Sequence, residues 1–215
     1  MACDSNEIGN SMDVNQDKVY MDYSILYTEG EENVSLSFQY RFAGSAGTTL
    51  VLNGASQAEL DGEKLKVDSS EASGAFYNAG KNFSDFIGNH TIKFTDINGK
   101  KFENSFDFGS FNLNAIPTTV DAGKDLVISY NSVSLNADDY FEINSIDTDS
   151  SFHYQQAGPA NSITIPAKEL MRQKEKGFSL DCTLYRQIPL SQTTAEGGSL
   201  KIFYRLKPVK IKLES

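Results

Sequence analysis

Two His, two Cys and no Trp are all that this chain of 215 residues offers to the commonest side-chain chemistries. A Ser-His-Asp triad would have to use His90 or His153, and each lies inside a strand-like run rather than at a loop tip. No Gly-x-Ser-x-Gly elbow is present; Gly44-Ser45-Ala46-Gly47 lacks the spacing and reads as a flexible turn. Two His and two distant Cys give no ligand pair at zinc spacing. Calcium has a better claim. Asp147-Thr148-Asp149-Ser150-Ser151, with Asp138 and Asp139 upstream, sets hard oxygen donors at alternate positions. Asp147 and Asp149 are therefore the candidate cation ligands. An EF-hand loop would need a Gly where Phe152 stands and a bidentate Glu that is missing, so a solvated acidic loop competes with this reading and is favoured. Paired carboxylates for glycoside hydrolysis stay open, because such pairs meet only in space.

Aromatic contact is the remaining chemistry. The segment Ala72–Asp85 is expected to be a loop, and it presents Phe76, Tyr77 and Phe83, with Phe86 directly after it, among small residues. Those four are the candidate ligand-binding residues, with core filling as the alternative. No cofactor is expected.

The elements that would carry these groups are almost all strands. Val34 to Phe42 alternates five apolar residues with four polar ones, the pattern of a half-buried antiparallel strand. Val19, Met21, Tyr23, Ile25 and Tyr27 share one face of the run before it. Asp61-Gly62 and Asn98-Gly99 each lie between alternating runs and predict hairpins, since these residues tolerate positive φ. Pro166, a stretch of helix formers and Gly177 predict one short helix, a crossover between sheets. Phe178, Leu180, Cys182 and Leu184 then share a strand face, which makes Cys182 a small buried hydrophobe rather than a reactive thiol. The fold expected is all-β: two tandem immunoglobulin-like β-sandwiches with one short helical crossover. Pro117 marks the boundary, giving a flexible tether over residues 1–17, a first sandwich over 18–114 and a second over 119–215.

Charge narrows the partners. The net formal charge is −10, which excludes a nucleic-acid surface of clustered Lys and Arg. Residues 1–118 hold 17 acids and 8 bases, a net of −9, and the remainder is near neutral. Lys201, Arg205, Lys207, Lys210 and Lys212 make the last strands locally basic. They read as an edge guarded against strand addition, with a docking stripe for an anionic partner as the alternative.

The chain opens Met1-Ala2-Cys3-Asp4-Ser5-Asn6-Glu7. A small residue, then Cys, then a polar stretch resembles the cleavage site of bacterial lipoprotein precursors, which implies a lipid anchor on Cys3. The order of strand, short helix, Gly, strand and strand over roughly residues 160–213 resembles the last third of immunoglobulin-like surface or periplasmic lipoproteins of Gram-negative bacteria. That resemblance carries over no functional residue. It implies an outer-membrane lipoprotein, on either face, that touches the membrane only through its lipid. The expected function is non-catalytic binding or scaffolding, with an envelope protein or a glycan as partner. A glycan-binding subunit of a surface uptake system and a carboxylate-dependent hydrolase are the alternatives.

Overall fold

The computed structural model describes residues 8–70, 72–131, 135–146, 150–173 and 177–214. The protein is mostly β, with several sheets and one short helix, Ala167–Met171. The chain divides into two compact units, neither of them a single stretch of sequence. Unit 1 takes Met1–Leu26, Glu32–Phe108 and Gln187–Ile202, and unit 2 takes Tyr27–Glu31, Gly109–Arg186 and Phe203–Ser215.

In unit 1, one layer runs Ile8–Asn10, Thr48–Val51, Asn33–Phe42, Val19–Thr28 and Gly198–Arg205. Gly74–Asn82 pairs antiparallel with the first part of Asn33–Phe42 and carries Val67–Ser70 on its other side. A separate antiparallel sheet runs Lys101–Phe108, Gly88–Thr95, Gln57–Leu60 and Glu63–Lys64. The alternation read from sequence is visible in burial. Val19, Met21, Tyr23 and Ile25 are fully buried, as are Phe38 and Tyr40 on the neighbouring strand. Tyr40 of one sheet meets Phe94 of the other at 4.6 Å between ring centres, and Phe94 stacks on Phe102. Aromatic rings of this size supply most of the apolar area that holds such layers together.

Both expected hairpins form. Asp61 and Gly62 take φ of 51° and 81°, the paired left-handed geometry of a two-residue turn. The Asn98-Gly99 hairpin is wider. The Asp96 carboxylate accepts from the amides of Asn98 and Lys100, and Gly99 alone takes positive φ.

In unit 2, Gly177–Ile188 is flanked by Tyr140–Ile146 and, at its start, by Val209–Glu214. His153–Ala157 lies beyond Tyr140–Ile146. A three-stranded sheet joins Asn112–Leu113, Leu126–Asn131 and Ser162–Ile165. Phe178, Leu180, Cys182 and Leu184 are buried together as expected, and Leu170 of the helix is fully buried beside an exposed Met171.

Four expectations need correction. The tether does not extend through residues 8–17. Ile8–Asn10 pairs parallel with Thr48–Val51, the Ser11 hydroxyl accepts from the Asn53 amide, and Gln16 donates to the Ser11 and Val14 carbonyls. Residues 109–114 belong to unit 2 rather than to the first module, because Phe111 is buried against Tyr130, Phe141 and Tyr204. The segment Ala72–Asp85 is not a loop, since its centre is the strand Gly74–Asn82. Val209–Glu214 is an edge only in part: Thr119–Asp121 pairs in parallel with Lys212, Leu213 and Glu214, while Val209, Lys210 and Ile211 pair on the Gly177–Ile188 side alone among the described residues.

Candidate functional site

Unit 1 holds an apolar concavity of about 450 Å³ lined by Leu52, Ser56, Gln57, Ala58, Lys64, Leu65, Lys66, Val67 and Tyr77. That volume lies within the range of small-ligand sites. Local backbone rules place each wall. The Asp61-Gly62 turn folds the chain back so that the Leu65 amide donates to the Ala58 carbonyl, setting two apolar residues on facing strands. The Ser56 amide donates to the Asn53 carbonyl across a tight turn in which Gly54 takes a φ of 62°. Tyr77 comes from Gly74–Asn82 and is only 4% exposed. Its hydroxyl accepts from the Leu52 amide at 2.6 Å, one residue before that turn.

Burial pushes the Tyr77 hydroxyl above its usual range, and the Leu52 amide partly offsets this. The hydroxyl is thus held as O–H, a donor that already accepts once. Ser56 is 3% exposed, and its Oγ has no hydrogen-bond partner among the described residues. Lys64 and Lys66 are exposed, and neither has an ion-pair partner among the described residues. The nearest acids point elsewhere: Glu59 pairs with Lys93, and Glu63 with Lys81.

The sequence candidates fall in different places. Of the four aromatic residues, only Tyr77 lines the concavity. Phe76, its neighbour on the strand, projects to the opposite sheet face and is half-buried. Phe86 is 2% exposed and stacks on His90 at 3.8 Å, within 5.1 Å of Phe108. Phe83 meets the same Phe108 edge-on at 6.3 Å. Phe83 and Phe86 therefore come together around Phe108 as core packing, apart from Tyr77. Cys3, Asp147 and Asp149 lie outside the described residues, and those residues hold no group of three or more His, Cys, Asp or Glu able to share an ion. Ser56, Leu52, Ala58 and Leu65 escaped the sequence reading. Only the Asp61-Gly62 turn hinted at them, by predicting which residues would face each other.

The residue types most suggestive of catalysis are engaged structurally. His90 Nδ1 lies 2.8 Å from an Asp61 carboxylate oxygen, and its Nε2 lies 2.7 Å from the Phe86 carbonyl. His153 is bonded through Nδ1 to Asn144 on an exposed strand. Asp96 spends its carboxylate on turn amides, and Asp139 faces Arg186 while accepting from the Asn136 amide. The Cys182 thiol is buried and free of disulfide, and burial raises its pKa to about 12.

Among solved structures, the chain is similar to one from a 1.5-MDa bacterial ice-binding adhesin described for its retention at the host cell surface. The two are 10% identical with a TM-score of 0.26, over 91% of this chain and 66% of that one. The present chain thus spans just under two thirds of that chain's length. No family model and no curated protein matches the sequence.

Proposed function

We propose that the protein is a non-catalytic binding module of the bacterial cell envelope, built from two tandem immunoglobulin-like sandwiches. On this reading a lipid on Cys3 holds it to the membrane. The observation that carries the binding role is the concavity itself: an apolar hollow of ligand size, walled largely by paired strands. Rigid sheets that present a preformed hollow favour capture of a ligand, because little ordering entropy is lost on binding. The state of His90, Asp96 and Asp139 supports a non-catalytic role, since each already serves a protein partner.

Two measurements test the reading. Calorimetry on the intact chain with small amphiphiles and oligosaccharides should give saturable binding of at least one ligand, lost when Ala58→Phe fills the hollow. If nothing binds and the protein instead co-purifies with another envelope protein, the concavity is not its working surface. For the anchor, expression of the lipoprotein precursor in a Gram-negative host should move the protein into the detergent phase, and Cys3→Ser should return it to the aqueous phase. Aqueous partitioning of the unaltered protein would refute the anchor.

A further inference from the structure

The lining of the concavity is asymmetric, and the asymmetry points to a ligand class. One end is bounded by the Asn53–Ser56 turn. There the Tyr77 hydroxyl sits 2.6 Å from the Leu52 amide with its own proton still to donate. The walls leading away are apolar: Leu52, Ala58, Leu65 and Val67. Lys64 and Lys66 stand at the rim, while the adjacent acids Glu59 and Glu63 are taken up by Lys93 and Lys81. One hydroxyl donor and two ammonium groups with no ion-pair partner among the described residues, beside an apolar trough, complement a compact anion joined to an apolar chain. The volume of about 450 Å³ is of small-ligand size.

We propose that this concavity binds an aliphatic monocarboxylate of medium chain length, its carboxylate held by Tyr77 and the rim lysines and its chain laid along Ala58, Leu65 and Val67. The inference rests on the binding role proposed above and adds the chemistry of the ligand. The acidic surroundings of residues 1–118 disfavour anions at long range, so selectivity comes from these local donors and rises as salt screens the wider field.

The test is titration calorimetry of the intact chain with four probes below their micellar concentrations: dodecanoate, dodecanol, dodecyltrimethylammonium and maltotriose. Dodecanoate should saturate one site, with dodecanol about tenfold weaker and the cation and the sugar silent. Lys64→Ala with Lys66→Ala, both at exposed positions, should weaken dodecanoate about five- to tenfold and leave dodecanol unchanged. Equal affinity for dodecanoate and dodecanol, or an unmoved affinity in the double lysine variant, would overturn the carboxylate assignment and leave the binding role standing. Saturation by maltotriose alone would replace it with a sugar site. Silence from all four probes, with the fold intact, would remove the binding role as well.

Discussion

Removing one oxygen atom from Tyr77 asks whether the wall of the concavity is held by the contact described. In Tyr77→Phe the ring stays in place, still 5.6 Å from the Tyr40 ring in an edge-on contact, and only the acceptor for the Leu52 amide is lost. A typical net hydrogen bond contributes about 1 kcal/mol. Leu52 is only half-buried, so water can partly replace the hydroxyl, and the desolvation of that hydroxyl is relieved at the same time. A destabilisation of about 0.5–1.5 kcal/mol follows. With a urea slope of about 2–3 kcal/mol per molar, the midpoint should fall by about 0.2–0.7 M without a change of slope. Native-state hydrogen exchange localises the effect: the Leu52 amide should lose protection while Tyr23 and Phe94, deep in the core, keep theirs. Tyr77→Ala is the less informative variant. Emptying a buried aromatic site costs about 3–5 kcal/mol, a large part of the 5–15 kcal/mol that holds a typical domain, so lost binding there would report on folding. A Phe variant as stable as the parent, with Leu52 still protected, would refute the wall geometry on which the site rests.

Three further outcomes follow from buried groups. Cys182, with a pKa raised to about 12 by burial, is about one part in ten thousand thiolate at pH 8; a disulfide reagent should leave it unmodified in the native protein and label it on unfolding, and fast native labelling would contradict the packed strand face. Burial also raises Tyr23 and Tyr40 above the usual tyrosine range, so their contribution to stability is complete below about pH 10 and is lost as pH climbs toward their folded values. Urea midpoints should therefore hold level up to about pH 9 and decline beyond it, and a flat profile to pH 12 would exclude the buried neutral pair. Asp139→Asn keeps an acceptor for the Asn136 amide but leaves the buried Arg186 side chain without its countercharge, at a cost of about 3–5 kcal/mol measured by denaturant unfolding; a loss under 1 kcal/mol would show that solvent reaches Arg186.

The sequence carried the strands whose two faces differ and lost those that do not follow the rule. Val34 to Phe42 alternates strictly and Lys101 to Phe108 does so except at buried Asn104, because one face of each is buried and the other is more exposed. Gly74–Asn82 was missed for a physical reason. Its small residues Ala75, Ala79 and Gly80 dilute the apolar signal, and its place is set by backbone pairing to Asn33–Phe42 and Val67–Ser70. The stretch after Asp4 reads as polar tether because its packing is done by polar side chains. Ser11 and Gln16 bond backbone partners, which composition does not register. The division into units could not be read linearly, since Gln187–Ile202 groups with unit 1 and Tyr27–Glu31 with unit 2. The concavity lay deeper still: its lining falls between Leu52 and Tyr77, and the Asp61-Gly62 turn foretells that Leu65 meets Ala58 but not that Tyr77 closes the wall through the Leu52 amide.

His90 shows why residue type alone misdirects a search for function. A His 2.8 Å from an Asp has the first half of an acid–base pair. What decides its role is the second ring nitrogen. A general base must present that nitrogen to a substrate, yet here it lies against the Phe86 carbonyl, with the ring stacked flat on Phe86 itself. Asp61 is no freer, because its other oxygen accepts from the Thr91 amide and its backbone occupies the left-handed turn that reverses the hairpin. The pair clamps the 83–87 segment to the Asp61-Gly62 hairpin, and every polar atom in it has a partner. In the concavity that the same hairpin helps to build, the relation is reversed: the residues are chemically bland, but the rim lysines have no ion-pair partner among the described residues and the Tyr77 hydroxyl keeps a proton to donate. On the proposed reading it is this hollow, and not the place where the familiar catalytic residues stand, that meets a ligand.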